Sequence, residues 1–146
     1  MATLLSAHRT IEVSTRKRYQ GKKISFIYVW NSQISIDAKN SFAASILADA
    51  LLQRPDSQTL NAPHASFPIS LEELKKVDGD VLFVANYAKN GKQFPEEMQH
   101  HPLWQNLKAV RENHVYYVDF SSWAATNMLG TDAVIDDLFK YLVNPP

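Results

Sequence analysis

Hydrophobic residues in this sequence follow two different spacings, which alternate along the chain. Three segments are almost continuously apolar and rich in β-branched and aromatic residues, and they predict strands near 24–30, 80–86 and 114–119. Continuous apolar character is typical of strands covered on both faces, as in parallel sheets. Asn31-Ser32 is a turn signal, and residues 33–37 after it predict a short return strand.

Between these segments, apolar residues recur at the three- and four-residue spacing of amphipathic helices. This spacing predicts helices near 41–52, 70–77, 102–112 and 131–143. Asn40 or Ser41 is placed to cap the first helix, and Ser70 with Glu73 has the spacing of a capping box. The polar, proline-containing segment 56–67 is predicted to be a loop.

Strands that alternate with helices imply βαβ units, and therefore a Rossmann-like, three-layer α/β/α lobe with a mostly parallel sheet. Ligands of such sheets bind beyond the carboxyl ends of the strands. Four aromatic residues fall at or just past the predicted strand ends: Trp30, Tyr87, Phe120 and Trp123. Together they predict a face that grips a flat or apolar ligand.

Two tryptophans are predicted to differ in role. Trp104 lies beside the apolar stripe of the third helix, and we expect it to pack at the helix entry. Trp123 is surrounded by small polar residues rather than an apolar run, so we expect its ring to face the ligand. On this interpretation Trp123→Ala weakens ligand binding more than it weakens folding.

Composition narrows the functional classes. Fifteen basic and fifteen acidic residues cancel, so no net charge attracts the chain to nucleic acid or to an anionic membrane. The absence of cysteine excludes disulfides and thiolate metal sites. The N-terminal residues lack the apolar run of a signal peptide. No stretch approaches the roughly 20 apolar residues of a transmembrane helix.

Motifs for common catalytic chemistry are not found. Four scattered glycines form neither a P-loop nor a dinucleotide fingerprint, and the chain has no G-x-S-x-G elbow. We expect His100-His101 to be solvated rather than to bind metal, and we predict no cofactor. One alternative is a small α/β enzyme or regulatory domain that uses Asp119 with Ser121 or Ser122.

Several segments, taken in order, resemble a known family. They are KNSFAASILADALLQRP, ISLEEL, DVLFVANY, HPLWQNLKAVRENHVYYVD, a following Trp, and AVIDDLFKYL. The series is similar to the C-terminal lobe of ferric-siderophore substrate-binding proteins of ABC importers, which are class III, helix-linked periplasmic binding proteins. The resemblance covers about residues 22–143.

The resemblance implies a non-catalytic protein whose ligand is a ferric siderophore. It assigns ligand contacts to Trp123, to the stretch from Tyr28 to Trp30 and to the loop from His64 to Phe67; Tyr87 joins them by its place at a strand end. Tyr28 stands where many members carry a basic residue, which disfavours a highly anionic ligand such as ferric citrate. The first helix has Ala48 and Asp49 where the family usually places a permease-docking Glu.

The resemblance also implies partners and a location. Family members have two lobes and deliver ligand to an ABC permease, from the periplasm or from a lipid anchor outside the inner membrane. Residues 1–21 are then an extension or the end of the inter-lobe helix, and residues 22–146 are the C-terminal lobe. On this interpretation the first lobe is missing, and the chain is either an excised domain or a truncated gene product. A lone lobe that self-associates through its aromatic wall is a further alternative.

Overall fold

The computed structural model describes residues 19, 21–38, 41–59, 66–87, 95–124 and 128–143. Five strands form one sheet in the order β3-β2-β1-β4-β5. Their bounds are β1 Ile24–Trp30, β2 Gln33–Asp37, β3 Ser66–Ile69, β4 Val81–Asn86 and β5 Val115–Asp119. The predicted N-terminal extension, apart from residues 19 and 21, and His64 lie outside the described residues.

The sheet has a parallel centre and an antiparallel flank. β4 pairs in parallel with both β1 and β5, as the continuous apolar segments predict. β2 returns antiparallel to β1, which confirms the predicted return strand, and β3 adds antiparallel to β2. The prediction of a loop over 56–67 is wrong at its end, because β3 begins at Ser66. This strand has only four residues and contains Pro68, which lacks a backbone N–H and is tolerated at a sheet edge.

A two-residue turn joins β1 to β2. Asn31 and Ser32 have φ angles of 49° and 64°, the left-handed values that a type I′ hairpin needs at both central positions. Trp30 and Gln33 face each other across this turn. The last residue of β1 is therefore held in the sheet rather than in a loop.

The first predicted helix is shorter than expected, the last begins earlier, at Met128, and two short helices at Glu96–Gln99 and Phe120–Ala124 were not predicted. The helices are α1 Phe42–Asp49, α2 Glu96–Gln99, α3 Pro102–Gln105, α4 Lys108–Arg111, α5 Phe120–Ala124 and α6 Met128–Leu138, with a π-helical end at Phe139–Val143. Ser41 caps α1 by accepting a hydrogen bond from the Ala44 N–H at 3.0 Å. The first helix was predicted to extend to residue 52, but it ends at Asp49. Leu51, just past it, has a φ of 57°, which is outside the helical range.

Two predicted helices take a different form. The segment Leu71–Val77 is a 3₁₀ helix, although the predicted capping box is present at Ser70 and Glu73. The predicted helix over 102–112 is divided into α3 and α4. Its interruption has a cause distant in sequence: Asp78 Oδ1 accepts the Lys108 N–H at 2.8 Å, which a continuous helix would direct to the carbonyl four residues earlier.

Two hydrophobic cores lie on opposite faces of the sheet. The first packs α1, α5 and α6 against β1 and β4, and the second packs the 3₁₀ helix, α2, α3 and α4 against the other face. The structure therefore confirms the three-layer α/β/α arrangement. Trp104 is 3% exposed in the second core, which confirms its predicted packing role.

Candidate functional site

Aromatic residues collect where the parallel strands end. Val29 of β1 is level with Asn86 of β4, which is level with Asp119 of β5, so the three strands end together. Four aromatic side chains meet at this edge, and we call them the aromatic cluster: Tyr28, Trp30, Tyr87 and Phe120. Three of them were predicted to converge because the carboxyl ends of parallel strands share one edge.

The rings of the aromatic cluster are in direct contact. Trp30 and Tyr87 stack with centroids 3.9 Å apart and an interplanar angle of 12°. Phe120 meets both rings edge-on, with its centroid 5.6 Å from Trp30 and 5.5 Å from Tyr87. Trp30 nevertheless stays 48% exposed, so the cluster presents an open aromatic surface.

A cavity of about 270 Å³ lies beside the cluster. Its walls come from β1, β2, β3, α1 and α5, and its lining residues are Tyr28, Trp30, Ser35, Asp37, Ser41, Phe42, Ala43, Ser66, Phe120, Trp123 and Ala124. Phe42, at the start of α1, is 39% exposed at this cavity. The cavity thus combines aromatic walls with a small set of hydroxyl groups and one carboxyl group.

Tyr28 joins the cavity to the core beneath it. Its ring meets Phe120 edge-on at 5.6 Å, and its hydroxyl donates a hydrogen bond to the Trp123 carbonyl oxygen at 2.9 Å. Burial raises the pKa of the Tyr28 hydroxyl, and the nearby Asp37 carboxylate raises it further. The phenol therefore stays neutral in the physiological range and acts as a hydrogen-bonding group.

Asp37 is the carboxyl group of the cavity, and it is only 4% exposed. Burial raises its pKa, although the nearby Tyr28, Ser41 and Ser66 hydroxyls and the charge of Arg54 act in the opposite direction. The carboxylate is thus solvated mainly by hydroxyl groups. The sequence signal for it is alternation: Ser35 and Asp37 are polar positions between the buried Ile34 and Ile36 of β2.

Arg54 lies behind the cavity and fixes the end of β2. Its guanidinium donates to the Asp37 backbone oxygen at 2.7 Å, and to the Gln58 carbonyl oxygen and side-chain oxygen at 2.9 Å each. It also lies 4.2 Å above the centroid of the Phe26 ring. Burial lowers the pKa of Arg54 to about 10, so it remains a cation at neutral pH.

Trp123 does not face an open cleft. Its side chain is 1% exposed and packs against Phe26 and Phe83, with ring centroids 5.6 Å and 5.1 Å away. Its Nε1–H donates to Asp137 Oδ2 at 2.7 Å. The prediction that this ring is presented openly to ligand is therefore wrong: Trp123 borders the cavity only as part of its floor.

The polar neighbours of Trp123 explain that error. Asp119 Oδ2 accepts the Ser122 N–H at 2.9 Å and the Ser122 hydroxyl at 2.7 Å, which caps the start of α5. Ser121 and Ser122 lie towards the outside of this short helix, while Trp123 turns inward. Asp119 and Ser122 of the alternative enzyme hypothesis are thus engaged in helix capping.

The remaining predicted contacts divide between the two faces of the sheet. Phe67 pairs with Ile36 across β2 and β3 and packs against the second core, away from the cavity. Its neighbour Ser66 lines the cavity instead.

Among the described residues, no group of three or more histidines, aspartates or glutamates is placed to hold a metal ion. None of the described helices has the length and hydropathy needed to cross a bilayer.

Two solved structures of binding proteins share the fold of this chain. The structure superposes with a TM-score of 0.80 on a Bacillus subtilis protein of the FhuD fold family, described as the binding component of a Fep/Fec-like ferrichrome ABC transporter, at 21% identity over 95% of this chain and 52% of that one. Staphylococcus aureus FhuD2 with bound ferrioxamine B gives a TM-score of 0.75 at 20% identity, over 97% of this chain and 54% of that chain.

Two relatives found by sequence similarity are also named as binding proteins. The chain is 39% identical to the Fe(3+)-citrate-binding protein YfmC of Bacillus subtilis over 60% of this chain and 28% of the relative. It is 27% identical to the putative ABC transporter substrate-binding lipoprotein YhfQ of the same organism, over 96% of this chain and 47% of the relative. The chain therefore spans less than half the length of either relative. A family model described as "Periplasmic binding protein" matches residues 1–121, and the chain belongs to that family of binding proteins.

Proposed function

We propose that this chain is the C-terminal lobe of the substrate-binding component of an ABC importer for ferric siderophores or related iron complexes. In this proposal residues 22–146 form the lobe, and residues 1–21 are an extension or the end of the inter-lobe helix. Membership of the periplasmic binding protein family and the names of the relatives support it. The observation that carries it is the open aromatic cluster at the carboxyl ends of the parallel strands.

The open side of the cluster supports a ligand site with two walls. Trp30 is 48% exposed and Phe42 is 39% exposed, which leaves large apolar surfaces in water. Good small-molecule sites enclose about 300–1,000 Å³ and bury roughly 70–90% of the ligand. The cavity of about 270 Å³ is smaller than this range. We propose that a second lobe covers the iron complex from the opposite side.

The proposed role involves binding without catalysis. Asp119 and Ser122, the groups that an enzyme hypothesis would use, form a helix cap. The iron complex is cargo in this proposal, the protein needs no cofactor, and an ABC permease receives the ligand. The names of two relatives, a substrate-binding lipoprotein and a siderophore-binding lipoprotein, support a location outside the inner membrane, either periplasmic or lipid-anchored.

The test is a titration of the 146-residue chain with ferric tris-hydroxamate complexes, followed by tryptophan fluorescence. The iron-free ligand and ferric citrate serve as comparison titrants. We expect saturable quenching by the hydroxamate complexes only above about micromolar concentration, because one wall leaves much of the ligand in water. Nanomolar binding would show that the lobe needs no second wall. No binding at millimolar concentration would refute the proposed ligand class, and concentration-dependent dimerisation in sedimentation equilibrium would favour self-association instead.

A further inference from the structure

The cavity beside the aromatic cluster has an uneven distribution of charge. Among the described residues that line it, Asp37 supplies the one carboxyl group, and none is Lys, Arg or His. The other polar groups are the hydroxyls of Tyr28, Ser35, Ser41 and Ser66. Its apolar walls include Trp30, Phe42 and Phe120, whose ring faces carry partial negative charge. This lining repels an anion and suits a cation.

In the described part of the chain, Arg54 donates no hydrogen bond to the Asp37 carboxylate. Its guanidinium hydrogen bonds are directed to the Asp37 backbone oxygen and to Gln58, and it is absent from the cavity lining. In the described part of the chain the Asp37 carboxylate interacts with the hydroxyls of Tyr28, Ser41 and Ser66, while Arg54 acts on it only through its charge. Hydroxyl groups stabilise a carboxylate without neutralising it, so Asp37 keeps its attraction for a cation.

The size of the cavity limits what can enter it. A volume of about 270 Å³ lies below the range of about 300–1,000 Å³ typical for sites that enclose a drug-sized ligand. A cavity of this size suits a side arm of an iron complex better than the whole hexadentate chelate. In our proposal the arm enters the cavity and the chelated metal stays outside. The exposed face of Trp30, at the border of the cavity, is the nearest described aromatic surface for that outer part.

We propose that Asp37 makes this lobe selective for iron complexes that carry a cationic arm, an alkylammonium group, over otherwise identical complexes that lack the charge. The ammonium group enters the cavity, donates hydrogen bonds to the Asp37 carboxylate and lies against the aromatic walls, which add cation–π attraction. This inference rests on the proposed function and specifies its ligand class. An anionic complex such as ferric citrate would instead meet a buried carboxylate of the same sign.

Two complexes that differ only at the arm provide the test. Desferrioxamine B binds gallium(III) in a hydroxamate cage and carries a free primary ammonium group, and its N-acetyl derivative has the same cage without the charge. Gallium(III) is diamagnetic, so the Trp30 indole N–H resonance reports binding by NMR in the millimolar range. We expect the wild-type chain to bind the ammonium complex roughly tenfold more tightly, as a charge-assisted hydrogen bond in a partly dry site implies.

Variants identify the group responsible. Asp37→Asn keeps the size of the side chain and removes its charge, and we expect it to bind the two complexes equally. Asp56→Asn is the matched control, because Asp56 is exposed outside this cavity, and it should keep the wild-type preference. Circular dichroism establishes whether Asp37→Asn folds; if it does not, the ratio of affinities in the wild-type chain decides alone.

The possible outcomes separate the two proposals. Equal affinities in the wild-type chain would overturn the selectivity and leave the proposed function intact. A preference that survives in folded Asp37→Asn would overturn the assignment to Asp37. Failure of both complexes to bind at millimolar concentration would refute the proposed ligand class, and the inference with it.

Discussion

Two groups of aromatic rings lie within a few residues of each other on one face of the sheet, and they are used in opposite ways. Phe26, Phe83 and Trp123 are fully enclosed, and their rings contact one another in the core. Trp30, the last residue of β1, stacks on Tyr87, which follows β4, yet Trp30 stays about half exposed. The inner group stabilises the fold, whereas the outer group leaves aromatic surface exposed, which we propose is used for ligand binding. Position along the strand, not residue type, separates these roles.

The largest effect that tests this comparison is expected at Trp123. Trp123→Ala should lower the free energy of unfolding by about 3–5 kcal/mol, because it removes a 1% exposed indole and leaves a cavity between Phe26 and Phe83. Trp123→Phe, which keeps an aromatic ring in the core, should cost clearly less. Urea denaturation curves measure both. A loss below about 1 kcal/mol for Trp123→Ala would place this residue with the outer group.

A second prediction concerns the polar anchor of the inner group. Asp137→Ala removes the acceptor of the Trp123 Nε1–H hydrogen bond and leaves a buried donor unsatisfied. We expect a loss of about 1–3 kcal/mol in the free energy of unfolding. Asp136→Ala, at the exposed neighbouring position in α6, should change it by no more than about 0.5 kcal/mol. Equal effects in the two variants would show that the hydrogen bond contributes nothing.

Substitutions in the outer group should weaken ligand binding more than they lower stability. Trp30→Ala should weaken binding of a ferric tris-hydroxamate complex by about 1–3 kcal/mol, by analogy with aromatic anchors at other interfaces. It should lower stability by less than about 1 kcal/mol, because the ring is 48% exposed. Tyr117→Ala is the matched control, since Tyr117 is a 49% exposed aromatic on the neighbouring sheet edge. If both variants bind alike in isothermal titration calorimetry, the aromatic cluster is not the ligand wall.

The smallest expected effect is a change in pH dependence at the boundary between the groups. Burial raises the folded-state pKa of Asp37, against the opposing influence of the Tyr28, Ser41 and Ser66 hydroxyls and of Arg54. The folded state therefore binds a proton more tightly than the unfolded state, so this residue contributes less stability as pH rises through its folded pKa. Asp37→Asn should gain stability relative to wild type as pH rises from about 3 to 7. Thermal melts across this range measure it, and the opposite trend would mean that the carboxylate is well solvated.

The part of the fold that depends on periodicity was predictable from the sequence. Continuous apolar segments identified β1, β4 and β5, and the convergence of Trp30, Tyr87 and Phe120 followed from the parallel arrangement of those strands. The resemblance to periplasmic binding proteins is confirmed by the family match over residues 1–121. These features are local in sequence or common to all sheets of this class.

Features that depend on contacts between distant residues were missed. The burial of Trp123 depends on Phe26 and Phe83, far away in sequence, whereas its immediate neighbours are polar because they cap α5. The division between α3 and α4 depends on Asp78, which lies 30 positions before the N–H that it accepts. Local patterns carry no information about such partners. The assignment of His64 and Phe67 to ligand contacts stays a prediction, although Phe67 packs on the other face of the sheet.

The tight hairpin that follows Trp30 affects how much conformational entropy the outer aromatic group would lose on ligand binding. Trp30 is paired with Gln33 in the sheet, and its ring rests on Tyr87, so its conformational entropy has already been lost on folding. A ligand that binds against this ring should therefore cause little further loss of side-chain conformational entropy at this wall of the site. Pre-organisation of this kind leaves more of the interaction free energy available as affinity. We therefore expect the geometry of this wall to change little when the proposed ligand binds.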